Sequence, residues 1–191
     1  MSYLLNAFSM LIGLAFDAVV ALLVLRLLAE ACRVDFNNPL SQFVYRTTNP
    51  VLAPIRRVVP NWRRINIAAL LLAWLAVVLK QLLLFGLLGV MPHPLGLLLL
   101  GLAKLLDFVL VFYLIVIFGW SLLSMFAPDQ RQPLLRLASS LVEPLLRPLQ
   151  GRLVVGSIDF APMAVMLALL LARMLISAPL MDLGARLALG G

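Results

Sequence analysis

Apolar residues fill this chain in four long blocks, near 3–32, 65–91, 97–126 and 158–183. Within each block Leu, Val, Ala and Ile follow one another without the period-two alternation of a barrel strand. A helix needs about 20 such residues to cross a bilayer. The pattern therefore predicts four membrane-spanning helices.

Polar positions return between the first and second blocks, and between the third and fourth, at helical spacing. Around 38–60, Leu40, Phe43, Val44, Val51, Leu52 and Ile55 interleave with Gln42, Arg46, Asn49 and Arg56. Around 133–152, Leu134, Leu137, Ala138, Leu141 and Val142 interleave with Arg136, Ser140, Glu143 and Arg147. One-sided patterns of this kind predict helices lying in the membrane interface. The competing arrangement is a shallow re-entrant segment, its backbone covered by protein. Pro39 and Pro133 suit helix starts. Pro50 and Pro144 are expected to break the helix or begin a second one.

Pro39, Pro50 and Pro54 recur 94 residues later as Pro133, Pro144 and Pro148. After a shift of one residue the match resumes as Ile65/Ile158, Asn66/Asp159 and Lys80/Arg173. The expected fold is an all-α membrane protein of two parallel hairpin repeats, residues 1–93 and 94–191. Each repeat holds two spans and one amphipathic interfacial connector helix. An axis along the membrane normal relates the two.

Composition agrees with a lipid environment. The chain is 64% hydrophobic and 12% charged, with mean hydropathy +1.10, well beyond a soluble domain. The net charge of +7 is gathered in the connectors. Arg33, Arg46, Arg56, Arg57, Arg63 and Arg64 lie in or beside the first, and Arg131, Arg136, Arg147 and Arg152 in the second. Residues 86–96 carry no Arg or Lys. The positive-inside rule places the connectors in the cytoplasm and both termini outside. Beside spans, such a basic patch sets topology or meets anionic lipid, and no nucleic-acid partner is expected.

Chemistry-bearing groups are few. The single Cys32 allows no intrachain disulfide. A signal peptide is not expected, since the start lacks a basic segment before its apolar run. His93 stands alone in a turn-like M-P-H-P, short of the three or four ligands a zinc site needs. No nucleophile elbow, P-loop or metal-ligand cluster is present, so neither cofactor nor enzymatic activity is expected.

The sharper features are charges within the spans. Charge in hydrocarbon is costly and turns toward the bundle interior. Asp17 and Lys80 each lie fifteen residues from the connector end of their spans, as does Arg173. Asp107 lies on the third span, one turn from Lys104. The expected pairs are Asp17 with Lys80 and Asp107 with Arg173, or the swapped combination. They serve either as register pins or as an ion or proton path, and equal numbers of acids and bases favour pins. Arg26, Glu30 and Arg33, near the first span's inner end, are expected to snorkel to water.

Asn38-Pro39, then Asn49-Pro50-x-Leu52-x-Pro54-Ile55-Arg56-Arg57-x-x-Pro60, resemble the signature of the YggT family of integral membrane proteins, which includes the YlmG proteins of plastids and Gram-positive bacteria. Glu143-Pro144-x-Leu146-x-Pro148, followed by Ile158-Asp159, matches the same pattern. Gln150-Gly151 stands in place of the Arg pair in the second copy, and Asn66 in place of the usual Asp in the first. The resemblance implies a bacterial cytoplasmic membrane protein linked with osmotic-stress tolerance and potassium balance. Plastid relatives are linked with cytochrome assembly and organelle division or nucleoid distribution. It carries over no catalytic residue. The role expected is a scaffold or assembly factor supporting osmotic or envelope homeostasis. Its working surface is Arg46, Asn49, Pro50, Pro54, Arg56 and Arg57 with Glu143, Pro144, Arg147 and Pro148. That surface would meet anionic lipid, a membrane-protein partner or a second copy of the chain. The alternative is a potassium or proton channel or transporter component using the intramembrane charges.

Overall fold

The computed structural model describes residues 2–57, 59, 65–126, 132–155 and 158–190. Pro60, Arg63, Arg64 and Arg131 lie outside the described residues. The chain is all-α: α1 (Ser2–Ala31), α2 (Pro39–Arg56), α3 (Ile67–Leu87), α4 (Pro94–Phe126), α5 (Pro133–Leu146), α6 (Ala161–Ala172) and α7 (Ala178–Leu189). A π-helical segment, Arg173–Ser177, joins α6 and α7 into one continuous helix. Four helices are long and apolar enough to cross a membrane: Tyr3–Ala31, Ile67–Leu87, Pro94–Ser124 and Ala161–Leu189. The protein is thus a multi-pass membrane protein.

Each helix starts and stops for local reasons. Schellman geometry closes α1, with Val34 N donating to Ala29 O at 2.9 Å and Arg33 in the left-handed region at φ 55°. Arg33 therefore occupies a turn that usually takes Gly. Asn38 caps α2 by accepting from Leu40 N at 2.9 Å, and Pro39 opens the helix. Asn66 caps α3 by accepting from Ala69 N at 3.1 Å. Asp159 accepts from Ala161 N at 2.9 Å at the head of α6.

Several bounds depart from the sequence expectation: α3 covers Ile67–Leu87 rather than 65–91, α4 starts at Pro94 rather than 97, and α5 ends at Leu146 rather than near 152. Pro50 and Pro54 lie inside α2 and Pro144 inside α5, without ending either helix. Packing on the bundle holds each helix through the lost N–H. The last span begins at Ala161, because Ile158 and Asp159 pair with Val155 and Val154 in a two-residue antiparallel ladder. It runs on to Leu189 rather than ending near 183.

The helices pack as two antiparallel hairpins, α1 with α3 and α4 with α6–α7, joined through α3 and α4. Small residues let them close. Ala69, Ala73, Val77 and Gln81 recur every fourth residue as the buried edge of α3. Gly96 faces the backbone of Leu187 and Ala188, and a Cβ at Gly184 would lie 2.7 Å from Leu100 Cα. Gly101 faces Val78, and Trp74 Nε1 donates to Leu98 O at 3.2 Å. Close backbone approach of this kind is how helices gain packing energy where lipid removes the hydrophobic drive. The connectors cover one end. Val44 and Leu52 of α2 are buried, and so are Leu137, Ala138, Leu141, Val142 and Leu146 of α5. The two connectors meet where Asn38 Nδ2 donates to Pro133 O at 2.6 Å.

Gly184→Leu should separate α7 from α4, with an overpacking cost of about 1–3 kcal/mol. Thermal unfolding of the purified protein in detergent should show a lowered midpoint, and an unchanged one would refute this packing.

Candidate functional site

Three groups of polar side chains stand out: a cleft within the spans, a network beneath the first connector, and the outward face of both connectors.

The cleft forms where α1, α3, α4 and α7 converge. Lys80 Nζ lies 2.6 Å from Asp17 Oδ1. Arg173 binds Asp107 through two bonds, Nε to Oδ1 at 2.8 Å and Nη2 to Oδ2 at 3.0 Å. The pairs are those expected, in the unswapped combination. The π-helical segment adds a third bond: Ser177, fully buried, donates to Asp107 Oδ1 at 3.2 Å. Arg173 and Ser177 open and close the π segment, and their four-residue spacing sets both on the face that meets this carboxylate. Pro179, in the first turn of α7, has no N–H to continue the ladder. Lys104 Nζ bonds Gln81 Oε1 at 2.9 Å. Asp17, Lys80, Gln81, Lys104 and Asp107 all line a single cleft of about 450 Å³. The two pairs thus share one polar space. The pairs differ in quality: Asp17 is 45% exposed and held by one contact, whereas Asp107 is 19% exposed and held from two sides.

The second group corrects the sequence reading. Arg26 does not snorkel; it is 2% exposed. Its Nε lies 2.8 Å from Glu30 Oε1, its Nη2 donates to Asn49 Oδ1 at 3.2 Å, and its guanidinium carbon stands 3.3 Å from the centre of the Tyr45 ring. Glu30 also receives Arg56 Nη2 at 2.6 Å. One carboxylate therefore bridges a guanidinium of α1 and one of α2. Burial, then the Glu30 charge, raise the Tyr45 phenol above its ordinary pKa. The i, i+4 spacing of Arg26 and Glu30 was visible in sequence. That α2 folds back over them, bringing Tyr45, Asn49 and Arg56, was not.

The outward face is what remains. Arg46, Asn49, Pro50, Pro54 and Arg57 are exposed on or beside α2, as are Glu143, Pro144, Arg147 and Pro148 on or beside α5. Arg56 is not free among them, since Glu30 holds it. Phe43 and Val51 form an exposed apolar strip on α2, as a helix lying in an interface requires. His93 is exposed, and its backbone N donates to Ala188 O at 2.8 Å, so it serves the α4–α7 junction. Among the described residues no group of three or more His, Cys, Asp or Glu could hold a metal ion.

A family model described as CCB3/YggT matches residues 5–88 and again residues 99–180. A protein of Escherichia coli titled "Uncharacterized protein YggT" is 32% identical over 170 residues, covering 88% of this chain and 88% of its own. One of Vibrio alginolyticus, titled "Uncharacterized protein in proC 3'region", is 32% identical over 175 residues, covering 89% of this chain and 93% of its own. An uncharacterized protein of Haemophilus influenzae is 34% identical over 163 residues, covering 85% and 87%. No solved structure matches.

Removing one partner of the buried network should cost far more than removing an exposed charge. Glu30→Gln leaves Arg26 uncompensated and should lose about 3–5 kcal/mol. Glu143→Gln on the open face should stay within about 0.5 kcal/mol. Chemical denaturation of the two variants in detergent checks the difference, and equal losses would show that Glu30 does not hold the network.

Proposed function

The chain belongs to the CCB3/YggT family, and from that premise we propose that it is a non-enzymatic membrane protein acting through its two connectors. It serves as a scaffold or assembly factor in osmotic or envelope homeostasis, in the bacterial cytoplasmic membrane, with connectors inside and termini outside. The observation that carries this reading is the platform. The two connectors are bound to each other where Asn38 donates to Pro133 O, α2 is tied to α1 through Glu30–Arg56, and α5 packs on α4, while Arg46, Arg57 and Arg147 are exposed. Rigid amphipathic helices with an outward basic face suit the anionic surface of a cytoplasmic leaflet, where each Lys or Arg contributes about 1 kcal/mol. The same platform suits a membrane-protein partner or a second copy of the chain. The two matched stretches, 5–88 and 99–180, support one connector helix per half.

Changing Arg46 and Arg57 to Gln should lower retention of phosphatidylglycerol roughly tenfold or more. Native mass spectrometry of protein in mixed lipid reads this directly. The same variant should fail to restore growth under osmotic shock to a strain lacking the protein. Wild-type retention together with wild-type growth would reject the connectors as the working surface.

A second reading rests on the cleft: two ion pairs, Lys104 and Gln81 in one space within the spans are a beginning for ion passage. Flux in reconstituted liposomes separates the two readings. A scaffold passes nothing. A channel or transporter passes potassium, sodium or protons, and Asp17→Asn or Lys80→Met stops the flux while the protein stays folded. No flux from wild type under a gradient or osmotic stretch would eliminate ion passage.

A further inference from the structure

The Arg26 network has an image in the second half, and the image is hollow. The step of 94 residues that carries Pro39 to Pro133 carries Arg26, Tyr45, Asn49, Leu52 and Arg56 to Trp120, Ser139, Glu143, Leu146 and Gln150. Those five residues line a cavity of about 170 Å³ between α4 and α5. In the first half the corresponding place is filled from within the chain, by the Arg26 guanidinium between the Tyr45 ring, Asn49 and Glu30.

We propose that this cavity binds a small organic cation of the ammonium or guanidinium class, taking the place that Arg26 occupies in the first half. The charge of the two sites is reversed. The first holds two guanidiniums and one carboxylate, Arg26, Arg56 and Glu30. At the second, those three positions carry Trp120, Gln150 and Ser124, all uncharged, and Glu143 stands where Asn49 stood. The lining thus has one carboxylate and no cation, and among the described residues Glu143 makes no ion pair. Trp120 supplies the aromatic surface best suited to cation–π attraction. Ser139 and Gln150 supply oxygen acceptors for N–H donors. A volume of about 170 Å³ admits a guanidinium or a methylated ammonium and excludes a drug-sized molecule. The cavity opens beside a connector, with Glu143 and Gln150 exposed at its mouth, so a lipid ammonium headgroup and a free cation present the same chemistry there. The inference rests on the likeness of the two halves and not on the basic face of the connectors.

The test uses the purified full chain in a neutral detergent, with methylammonium and methylguanidinium as probes, read by saturation-transfer-difference NMR. Wild type should give saturable signals. Glu143→Gln, an exposed position, should weaken binding at least tenfold without altering circular dichroism. Trp120→Arg should install the first half's own cation, abolish probe binding and raise the unfolding midpoint. Native mass spectrometry then separates the sources. Glu143-dependent retention of phosphatidylethanolamine over phosphatidylglycerol supports a lipid headgroup as the cation, and probe binding without that preference supports a free one. No probe binding and no such retention by folded wild type would overturn the proposal, as would a Glu143→Gln variant that binds like wild type. Arg46→Gln with Arg57→Gln leaves the cavity intact, so failure of the platform reading would leave probe binding unchanged.

Discussion

A charge in hydrocarbon must find a partner, and that requirement sets how these helices stand against one another. Leu-rich surfaces offer no preference for one rotation or register, because lipid tails are as apolar as the facing helix. Asp17 and Lys80 remove the freedom between α1 and α3. Asp107, held by Arg173 and Ser177, does the same between α4 and the last helix. Each hairpin carries one such lock. The two locks then open onto the same cleft, so the helices that must join the hairpins converge on the charged groups.

Close packing completes what the charges begin. Gly96, Gly101 and Gly184 let backbones approach to distances that a side chain would forbid. The π segment lies where the two demands meet, and both its end residues, Arg173 and Ser177, bind one carboxylate. At the connector end Glu30 plays the corresponding part, bridging Arg26 and Arg56 and fastening α2 to α1. The first connector is thus fastened by a part-buried carboxylate of α1, and the second by its own buried apolar face.

The two halves share a plan and differ in chemistry at matched positions. Lys80 and Arg173 are both paired, and Asn66 and Asp159 both accept a backbone N–H at the head of the helix that follows them. The contrast is sharpest at the connectors, where Arg26 fills one site and Trp120 borders an opening at the other. The first half uses this place to fasten α2 to α1, and the difference does not lead to a second such fastening. It leads instead to what the second half has room to hold.

The order of long apolar and short amphipathic segments is written in the chain, because hydrocarbon thickness and helical periodicity act on local sequence. So are the connector starts at Pro39 and Pro133, and the shared depth of Asp17, Lys80 and Arg173, since depth follows from counting residues; which base meets which acid was settled only by the fold. What the sequence could not decide depends on elements distant in the chain. Pro50 and Pro144 look like breaks, yet packing against the bundle carries both helices through them. Arg26 and Arg56 look like surface cations, yet the fold of α2 over α1 encloses one and commits the other to Glu30. The cavity at Trp120 exists only because α5 lies across α4. Composition and spacing determined what crosses the membrane and which charges share a depth. The tertiary structure alone decided which charges were buried, because burial is a property of the neighbours that folding brings.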